Sequence, residues 1–266
     1  MSDIRILSLY SGSGGNSFLI STKKGAILID AGKNAKRLCL ALASAGISID
    51  EIRAVFITHE HSDHVSALPV FLKKHPVPVH IQKTSAYKLA NDPAAAPCLC
   101  LHPPIFEEQV ENIHVRSFPT PHDSMGSVGY RIEIYEEDGS VFRIGYATDI
   151  GYVTAEIEDG LLGCDAVILE SNHDPELLKN GPYPYELKRR IASRRGHLSN
   201  PESAELAARL CASGTRKLLL AHLSRENNDP EIAYDACFSA VSDDRVQIAV
   251  ADPEEITELM LGGISV

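Results

Sequence analysis

The segment THEHSDH, residues 58–64, restricts most strongly what this chain can fold into. It directly follows the β-rich run RAVFIT, and the chain after it has a helical pattern, so its histidines are expected in a loop that leaves a strand. Residues two apart in such a loop can point to the same side. His59 and His61 can therefore grip one metal ion. Asp63 and His64 then turn toward a neighbouring ion. The segment therefore predicts a site for two divalent metal ions. Imidazole and carboxylate ligands suit zinc, manganese or iron.

Apolar runs alternate with helical patterns along the chain, and no repeat, low-complexity tract or long linker interrupts them. This predicts a single domain over residues 1–266. Many strands followed by helix and strand alternation, twice over, indicate an α/β fold, a four-layer α/β/β/α sandwich in which each half contributes one sheet. The predicted strands cover 4–9, 17–21, 26–29, 53–58, 77–82, 113–118, 128–135, 141–147, 165–170, 217–221 and 246–251. The predicted helices cover 34–45, 65–74, 84–90, 185–194 and 201–212. Asn200 is expected to cap the last helix because Pro201 follows it.

Charge separates one segment from the rest of the chain. The sequence has 25 Lys and Arg against 36 Asp and Glu, a net charge of −11. This argues against broad adhesion to nucleic acid, because such binding rests on counterion release by basic side chains. The exception is one dense basic cluster, formed by Lys188, Arg189, Arg190, Arg194 and Arg195. It precedes the segment GHLS and is either a solvated helix face or a surface that tracks a nucleic-acid backbone.

The first twenty residues have no basic region and no apolar run of signal-peptide length. No window approaches the roughly 18 apolar residues of a membrane-spanning helix. The six cysteines are scattered and contain no C-x-x-C pair, which is typical of reduced thiols. These features predict a cytoplasmic protein with no membrane partner.

THEHSDH resembles the H-x-H-x-D-H signature of the metallo-β-lactamase superfamily, and ILIDAG, PTPHD, YATDIG and LLLAHLS match its other motifs in order. The resemblance covers nearly the whole chain and implies a metallo-β-lactamase-like sandwich. It implies that Asp30 supports the metal loop rather than binding metal. It also implies two ligand sets and a shared carboxylate: His59, His61 and His122 for one ion, Asp63, His64 and His222 for the other, and Asp149 bridging both.

Three further stretches are similar to the small cytoplasmic bacterial YycJ/WalJ subfamily of proposed nucleases, which has phosphodiesterases among its relatives: SLYSGSGGNSFLI, LESNHDPELLKNGPYPYELKRRIASRRGHLSN and LLLAHLSRENNDPEIA. The resemblance implies a dinuclear phosphodiesterase, an exonuclease-like enzyme for DNA or RNA that uses a metal-bridging hydroxide as nucleophile. His197 and His173 are expected to be catalytic, since imidazole can hold a scissile phosphate or protonate the leaving oxygen near neutral pH. The residues expected to bind substrate are Arg189, Arg190, Arg194 and Ser199.

Two other function classes stay open. A small-molecule hydrolase, acting on a cyclic nucleotide, another small phosphodiester or a lactone, fits the acidic charge and modest size. A metal-dependent binding protein would use the same fold without turnover. About 72 residues separate Asp149 from His222, too few for the large inserted domain of the β-CASP nucleases. The remaining histidines are expected at the surface or in loops: His75, His80, His102 and His114.

Overall fold

The structure, a computed structural model, describes residues 4–259. The chain divides into two compact units. The first contains the residues up to Pro103, the stretch Ser124–Gly126 and the residues from Asp252, and the second contains Pro104–Asp123 and Ser127–Ala251. The single domain expected from the sequence stays a prediction.

The described residues form fourteen β-strands and eight α-helices, numbered in chain order. The strands are β1 (Arg5–Tyr10), β2 (Ser17–Thr22), β3 (Gly25–Ile29), β4 (Ile52–Ile57), β5 (Val79–Gln82), β6 (Leu99–His102), β7 (Glu107–Val110), β8 (Ile113–Pro119), β9 (Val128–Tyr135), β10 (Val141–Ala147), β11 (Ala166–Glu170), β12 (Lys217–Ala221), β13 (Gln247–Val250) and β14 (Thr257–Leu259). The helices are α1 (Ala35–Ser44), α2 (Ser62–Val65), α3 (Leu68–Lys74), α4 (Ala155–Leu161), α5 (Pro175–Asn180), α6 (Tyr185–Ile191), α7 (Asn200–Ala212) and α8 (Pro230–Val241).

The first unit contains one seven-stranded mixed sheet in the order β14-β1-β2-β3-β4-β5-β6. Its strands run antiparallel from β14 to β3 and parallel from β3 to β6. Helix α1 buries Leu38 and Leu42, which lie four residues apart and therefore on one face. Helix α3 adds Phe71 and Leu72 to the same hydrophobic core. The carboxyl ends of β3 and β4 consequently lie side by side at one edge of a well-packed sheet.

The second unit repeats this plan with a sheet in the order β13-β12-β11-β10-β9-β8-β7. Its strands run antiparallel from β7 to β10 and parallel from β10 to β13. Helix α7 buries Leu206 and Leu210 in a core that also contains Leu169 and Leu218. Because parallel strands end at the same edge of a sheet, the residues that follow β10, β11 and β12 lie next to one another.

The prediction that each half of the chain contributes one sheet is confirmed, with one correction. Strand β14 was not predicted and joins the first sheet, where Leu259 lies opposite Ile6 of β1. The elements β6, β7, α2, α4, α5 and α8 were not predicted either, and α2 places Asp63 and His64 in a short helix rather than in the predicted loop. The helix predicted over 84–90 is wrong, since two separate 3-10 turns occupy Ser85–Tyr87 and Leu89–Asn91.

The predicted cap of α7 is also wrong. Asn200 is the first residue of the helix, and Ser199 is its N-cap. The Ser199 hydroxyl donates to Glu202 Oε2 at 2.6 Å, and Glu202 accepts the Ser199 backbone N–H at 3.2 Å. This capping box satisfies N–H groups that the first turn leaves without intrahelical partners. The sequence contains Ser-x-x-Glu at these positions, so the motif was there to be recognised.

His80 contradicts the expectation that it lies at the surface or in a loop. It belongs to β5, is 6% exposed and stacks on Phe56 with ring centroids 4.6 Å apart. Its Nδ1 lies 3.0 Å from Nε2 of His102, which belongs to β6. His80 is therefore a buried strand residue that packs within the first sheet.

None of the six cysteines forms a disulfide. In the part of the chain that the structure describes, no helix combines the length and the apolar character needed to cross a membrane.

Candidate metal centre

Polar side chains follow the strand ends of both sheets. Asp30 comes directly after β3, Asp149 lies two residues after the end of β10, and His222 comes directly after β12. All three have left-handed backbone conformations, with φ of 61°, 57° and 58°. Non-glycine residues rarely adopt this region, and such strain concentrates at functional sites. The residues at these strand ends are therefore candidates for a functional site.

In the first unit, the predicted ligands of THEHSDH lie side by side. The ring centroid of His59 is 4.5 Å from that of His61 and 4.1 Å from that of His64. Nε2 of His64 lies 3.4 Å from Oδ2 of Asp63. His59 and His64 are fully buried, whereas Asp63 and His61 are partly exposed. The segment THEHSDH, which includes the start of α2, thus brings three imidazoles and one carboxylate close together.

The carboxylate of Asp30 holds this segment in place through hydrogen bonds. Its carboxylate accepts the Thr58 N–H at 2.8 Å and the Thr58 hydroxyl at 2.9 Å, and His64 Nδ1 donates to it at 2.8 Å. Burial raises the pKa of the Asp30 carboxyl, and the contacts with His64 and Thr58 oppose that rise. Because Asp30 holds Nδ1 of His64, the other ring nitrogen, Nε2, is the one presented for coordination. The supporting role of Asp30 stays a prediction, and this contact is one that such a role requires.

The glycine-rich segment SGSGGNS also braces the loop. The Asn16 backbone N–H donates to Asp63 O at 2.7 Å, and the Asn16 amide nitrogen lies 3.3 Å from Asp63 Oδ2. Close approach here requires Gly32, since a Cβ at this position would lie 1.9 Å from Asp63 O. The side chain of Glu60, in turn, accepts the backbone N–H of Met125 at 2.8 Å. Sequence reasoning missed Asn16, although its place after the glycines was visible.

In the second unit, Asp149 is surrounded by imidazoles. Its Oδ1 lies 3.6 Å from Nε2 of His122, from Nδ1 of His197 and from Nδ1 of His222. Asp149 is 2% exposed, so little water screens its carboxylate from these ring nitrogens. Together with Glu170, the potential ligand atoms of Asp149, His197 and His222 lie within 4.8 Å of one another. The second unit thus assembles three of the predicted ligands and one of the two predicted catalytic histidines.

Glu170, the last residue of β11, is the main residue that sequence reasoning missed. Its Oε1 accepts from Nδ1 of His197 and from Nδ1 of His222, both at 2.8 Å. Its Oε2 accepts the backbone N–H groups of Ile150 at 2.8 Å and Leu198 at 3.0 Å. Burial alone would raise the pKa of Glu170, but the neighbouring His197 and His222 lower it to about 2. The sequence signal that could have identified Glu170 is an acidic residue at the end of the apolar strand AVILE. Asp30 follows the apolar strand β3 in a similar way.

His122 is fixed in the same way. Its Nδ1 donates to Gly196 O at 3.1 Å, and both Nε and Nη2 of Arg195 donate to His122 O at 3.2 and 3.1 Å. Burial lowers the pKa of His122, which favours the neutral imidazole that can bind a metal. Asp123 links this residue to the basic cluster, with its Oδ1 3.2 Å from His122 Nε2 and its Oδ2 2.5 Å from Arg190 Nε.

The remaining predicted residues lie elsewhere in the second unit. His173 and Ser199 form a parallel β-bridge with each other. His173 is 4% exposed, and burial lowers its pKa. Ser199 caps α7, so its hydroxyl already has a structural role. Arg189 and Arg190 are exposed near the end of α6, and Arg194 is exposed in the loop that follows.

These residues fit divalent metals. Three imidazoles, those of His64, His122 and His222, each direct Nδ1 at a carboxylate or carbonyl oxygen, and metal-binding histidines are commonly held in this way. The donor atoms are nitrogen and oxygen, the set that suits zinc, manganese and iron.

Comparison with known proteins agrees with this chemistry. Residues 10–142 match the metallo-beta-lactamase superfamily. Exodeoxyribonuclease WalJ of Streptococcus pneumoniae serotype 2 (strain D39 / NCTC 7466) is 34% identical over 230 residues, which cover 85% of this chain and 84% of that protein. The chain belongs to the metallo-β-lactamase superfamily. Exodeoxyribonuclease YycJ of Bacillus anthracis is 31% identical over 229 residues, with the same coverage of 85% and 84%. The resemblance to the YycJ/WalJ subfamily is thereby confirmed.

A solved structure supports the fold. The metallo-beta-lactamase fold protein YhfI from Bacillus subtilis superimposes with a TM-score of 0.71 over 96% of this chain and 100% of that chain, at 16% sequence identity. The predicted fold class, α/β of the metallo-β-lactamase type, is confirmed.

Proposed function

We propose that the chain is a divalent-metal-dependent hydrolase of phosphodiester bonds, specifically a nuclease that acts on the ends of DNA or RNA. The observation that carries the proposal is the set of buried histidines whose Nδ1 atoms are held by Asp30 and Glu170, in a superfamily member similar to two proteins named exodeoxyribonuclease. A bacterial cytoplasmic location belongs to the same proposal.

The ligand assignment follows the superfamily pattern. One ion would be held by His59, His61 and His122, the other by Asp63, His64 and His222, and Asp149 would be shared. Within each unit, the short distances between these side chains support the assignment. Two bound ions would polarise the scissile phosphate and supply an ionised water as nucleophile.

His197 is the better of the two proposed catalytic histidines. Its side chain is 17% exposed and lies in the cluster around Asp149, whereas His173 is 4% exposed and bridges Ser199. Because Glu170 holds Nδ1 of His197, the ring nitrogen Nε2 is left to exchange a proton with the leaving oxygen.

The first prediction concerns metal dependence. The purified protein should hydrolyse bis(p-nitrophenyl) phosphate, lose that activity after chelation, and regain it with zinc, manganese or iron. Metal analysis of the same sample gives the native ion. A metal-loaded protein that cleaves no diester would contradict the proposal. Cleavage of lactones or cyclic nucleotides without oligonucleotides would instead favour a small-molecule hydrolase, as the net charge of −11 allows. A failure on every ester and diester would favour a binding protein.

The second prediction concerns the basic cluster. Arg189→Glu and Arg194→Glu should each weaken oligonucleotide cleavage roughly tenfold or more and reduce the salt slope of binding by at least about 1, because each removes a phosphate-attracting charge. Hydrolysis of bis(p-nitrophenyl) phosphate should change little. Arg190 is left in place because its partner Asp123 also lies 3.2 Å from Nε2 of the proposed ligand His122. Arg245→Glu, at a 71% exposed side chain after α8, is the matched control. Equal losses on both substrates would contradict a role in polymer binding.

A further inference from the structure

Two arginine side chains of the basic cluster lie over tyrosine rings, and one of them is in contact with its ring. The guanidinium carbon of Arg194 lies 3.8 Å from the centroid of the Tyr152 ring, which is van der Waals contact between two flat groups. Tyr152 comes three residues after Asp149, and Arg194 comes three residues before His197. Short chain segments therefore connect the stack to Asp149 at one end and to His197 at the other, and both residues are proposed to act on the scissile phosphate.

The backbone holds this stack rigidly. A Cβ at Gly151 would lie 2.2 Å from Arg194 O, and a Cβ at Gly196 would lie 2.1 Å from Ile191 O. These two glycines let main-chain segments touch directly. The Gly151 N–H also donates to Pro121 O at 2.8 Å. A surface held in this way loses little conformational entropy when a ligand binds.

In the second pair the two groups lie farther apart and are more exposed to solvent. The guanidinium carbon of Arg189 lies 5.8 Å from the Tyr185 ring centroid, and Arg189 is 3.5 Å from Glu186 Oε2. Tyr185 is 71% exposed, the highest fraction among the exposed large hydrophobic side chains that the structure describes. A ring this exposed presents a π-face to solvent, where a base can stack on it.

The other two arginines of the cluster have different tasks. Arg190 pairs with Asp123, and Arg195 donates to His122 O. They tie the cluster to the segment that carries His122. Pairs of cation and ring are common on protein surfaces. What distinguishes Tyr152–Arg194 and Tyr185–Arg189 is that both arginines belong to the one dense basic cluster of a chain with net charge −11.

We propose that these two Arg–Tyr pairs, together named the stacking ledge (Tyr152, Tyr185, Arg189 and Arg194), receive bases that are unpaired at a nucleic-acid end. This inference rests on the proposed nuclease function. Aromatic rings and guanidinium planes both stack on bases, while the same guanidinium groups attract the backbone phosphates. Bases inside a duplex are stacked on each other and cannot reach such a ledge.

The test measures binding separately from hydrolysis. Fluorescence anisotropy of the metal-loaded protein with a fluorescein-labelled single-stranded DNA 12-mer, whose phosphorothioate linkages resist cleavage, gives the Kd for wild type, Tyr152→Leu and Tyr185→Leu. Each substitution should weaken binding on the order of 5- to 150-fold, the loss expected for one base–aromatic stack. Tyr152→Phe and Tyr185→Phe keep the ring and should bind like wild type. Tyr234→Leu removes an exposed tyrosine of α8, outside the basic cluster, and is the matched control.

An abasic oligonucleotide makes the test specific for stacking. If the rings hold bases, wild type should lose affinity when the terminal bases are replaced by abasic sites, and the leucine variants should lose much less. Unchanged Kd values in both leucine variants, or equal losses on normal and abasic DNA, would overturn the ledge. So would a parallel loss of bis(p-nitrophenyl) phosphate hydrolysis, which would indicate a role in folding or in the catalytic centre. A wild type that binds DNA through the ledge but hydrolyses no diester would sink the proposed function instead.

Discussion

Asp149→Asn is expected to reduce the hydrolysis of bis(p-nitrophenyl) phosphate by roughly 1000-fold or more, the equivalent of the several kcal/mol that a divalent metal centre contributes to catalysis. Asp149 lies 3.6 Å from nitrogens of His122, His197 and His222, so its charge is the common electrostatic centre of the second unit's cluster. Asparagine keeps the shape but removes the charge. It also tolerates the left-handed conformation, with φ of 57°, that Asp149 adopts.

The conformation decides the choice of variant. Asp149→Ala should lose the same activity and, in addition, about 1 kcal/mol of stability, because alanine is strained at positive φ. Comparing kcat/KM, metal content and thermal unfolding for the two variants separates loss of charge from loss of fold. Asp159→Ala, at an exposed acid of α4, is the control and should behave like wild type. Substantial diester hydrolysis by metal-loaded Asp149→Asn would show that this carboxylate is not part of the reacting centre.

Local signals predicted the parts of this protein that local physics determines. THEHSDH follows a short apolar strand, and its spacing alone predicted neighbouring metal ligands. The roles expected for Asp30 in ILIDAG and Asp149 in YATDIG came instead from the resemblance to the metallo-β-lactamase superfamily. Strand β14 has only three residues and pairs with β1 from the other end of the sequence. Helix α8 was obscured because Tyr234 and Phe238 are apolar yet 37% and 50% exposed, which blurs its periodicity.

Glu170 was missed for a related reason. Its importance depends on His197 and His222, which are 27 and 52 residues further along the chain. The segment AVILE contains no information about those partners, so Glu170 was interpreted only as the end of a buried strand. A buried carboxylate must find hydrogen-bond donors, and that rule could have marked Glu170 as a functional residue before its partners were known. The same rule separates it from the exposed acids that give the chain its net charge.

Glu170→Gln is expected to have the second-largest effect, with a 10- to 100-fold loss of diester hydrolysis, the usual range when a group that orients metal-binding histidines is changed. The carboxylate accepts four hydrogen bonds, from His197, His222 and two backbone N–H groups. Glutamine offers one oxygen and turns an NH2 group toward at least one donor. The imidazoles of His197 and His222 should consequently lose their fixed orientation.

The same substitution should also lower stability in a pH-dependent way. The pKa of Glu170 in the folded protein is about 2, below its ordinary value of 4.5, so folding favours the ionised form. The stabilisation is present above pH 4.5 and is lost as the pH falls toward 2. Its size at neutral pH is on the order of 3 kcal/mol, comparable with the cost of breaking a buried ion pair. Urea unfolding of wild type and Glu170→Gln at pH 7 and at successively lower pH measures the difference.

Two outcomes distinguish orientation from simple stabilisation. If Glu170 orients the two histidines, Glu170→Gln should lower both metal affinity and kcat at a temperature where the variant is fully folded, and Glu170→Asp should restore part of each. If the carboxylate only stabilises the fold, kcat and metal affinity of the folded variant should match wild type. The difference in stability should shrink at low pH in either case, so the metal titration and kcat decide whether this residue serves the chemistry.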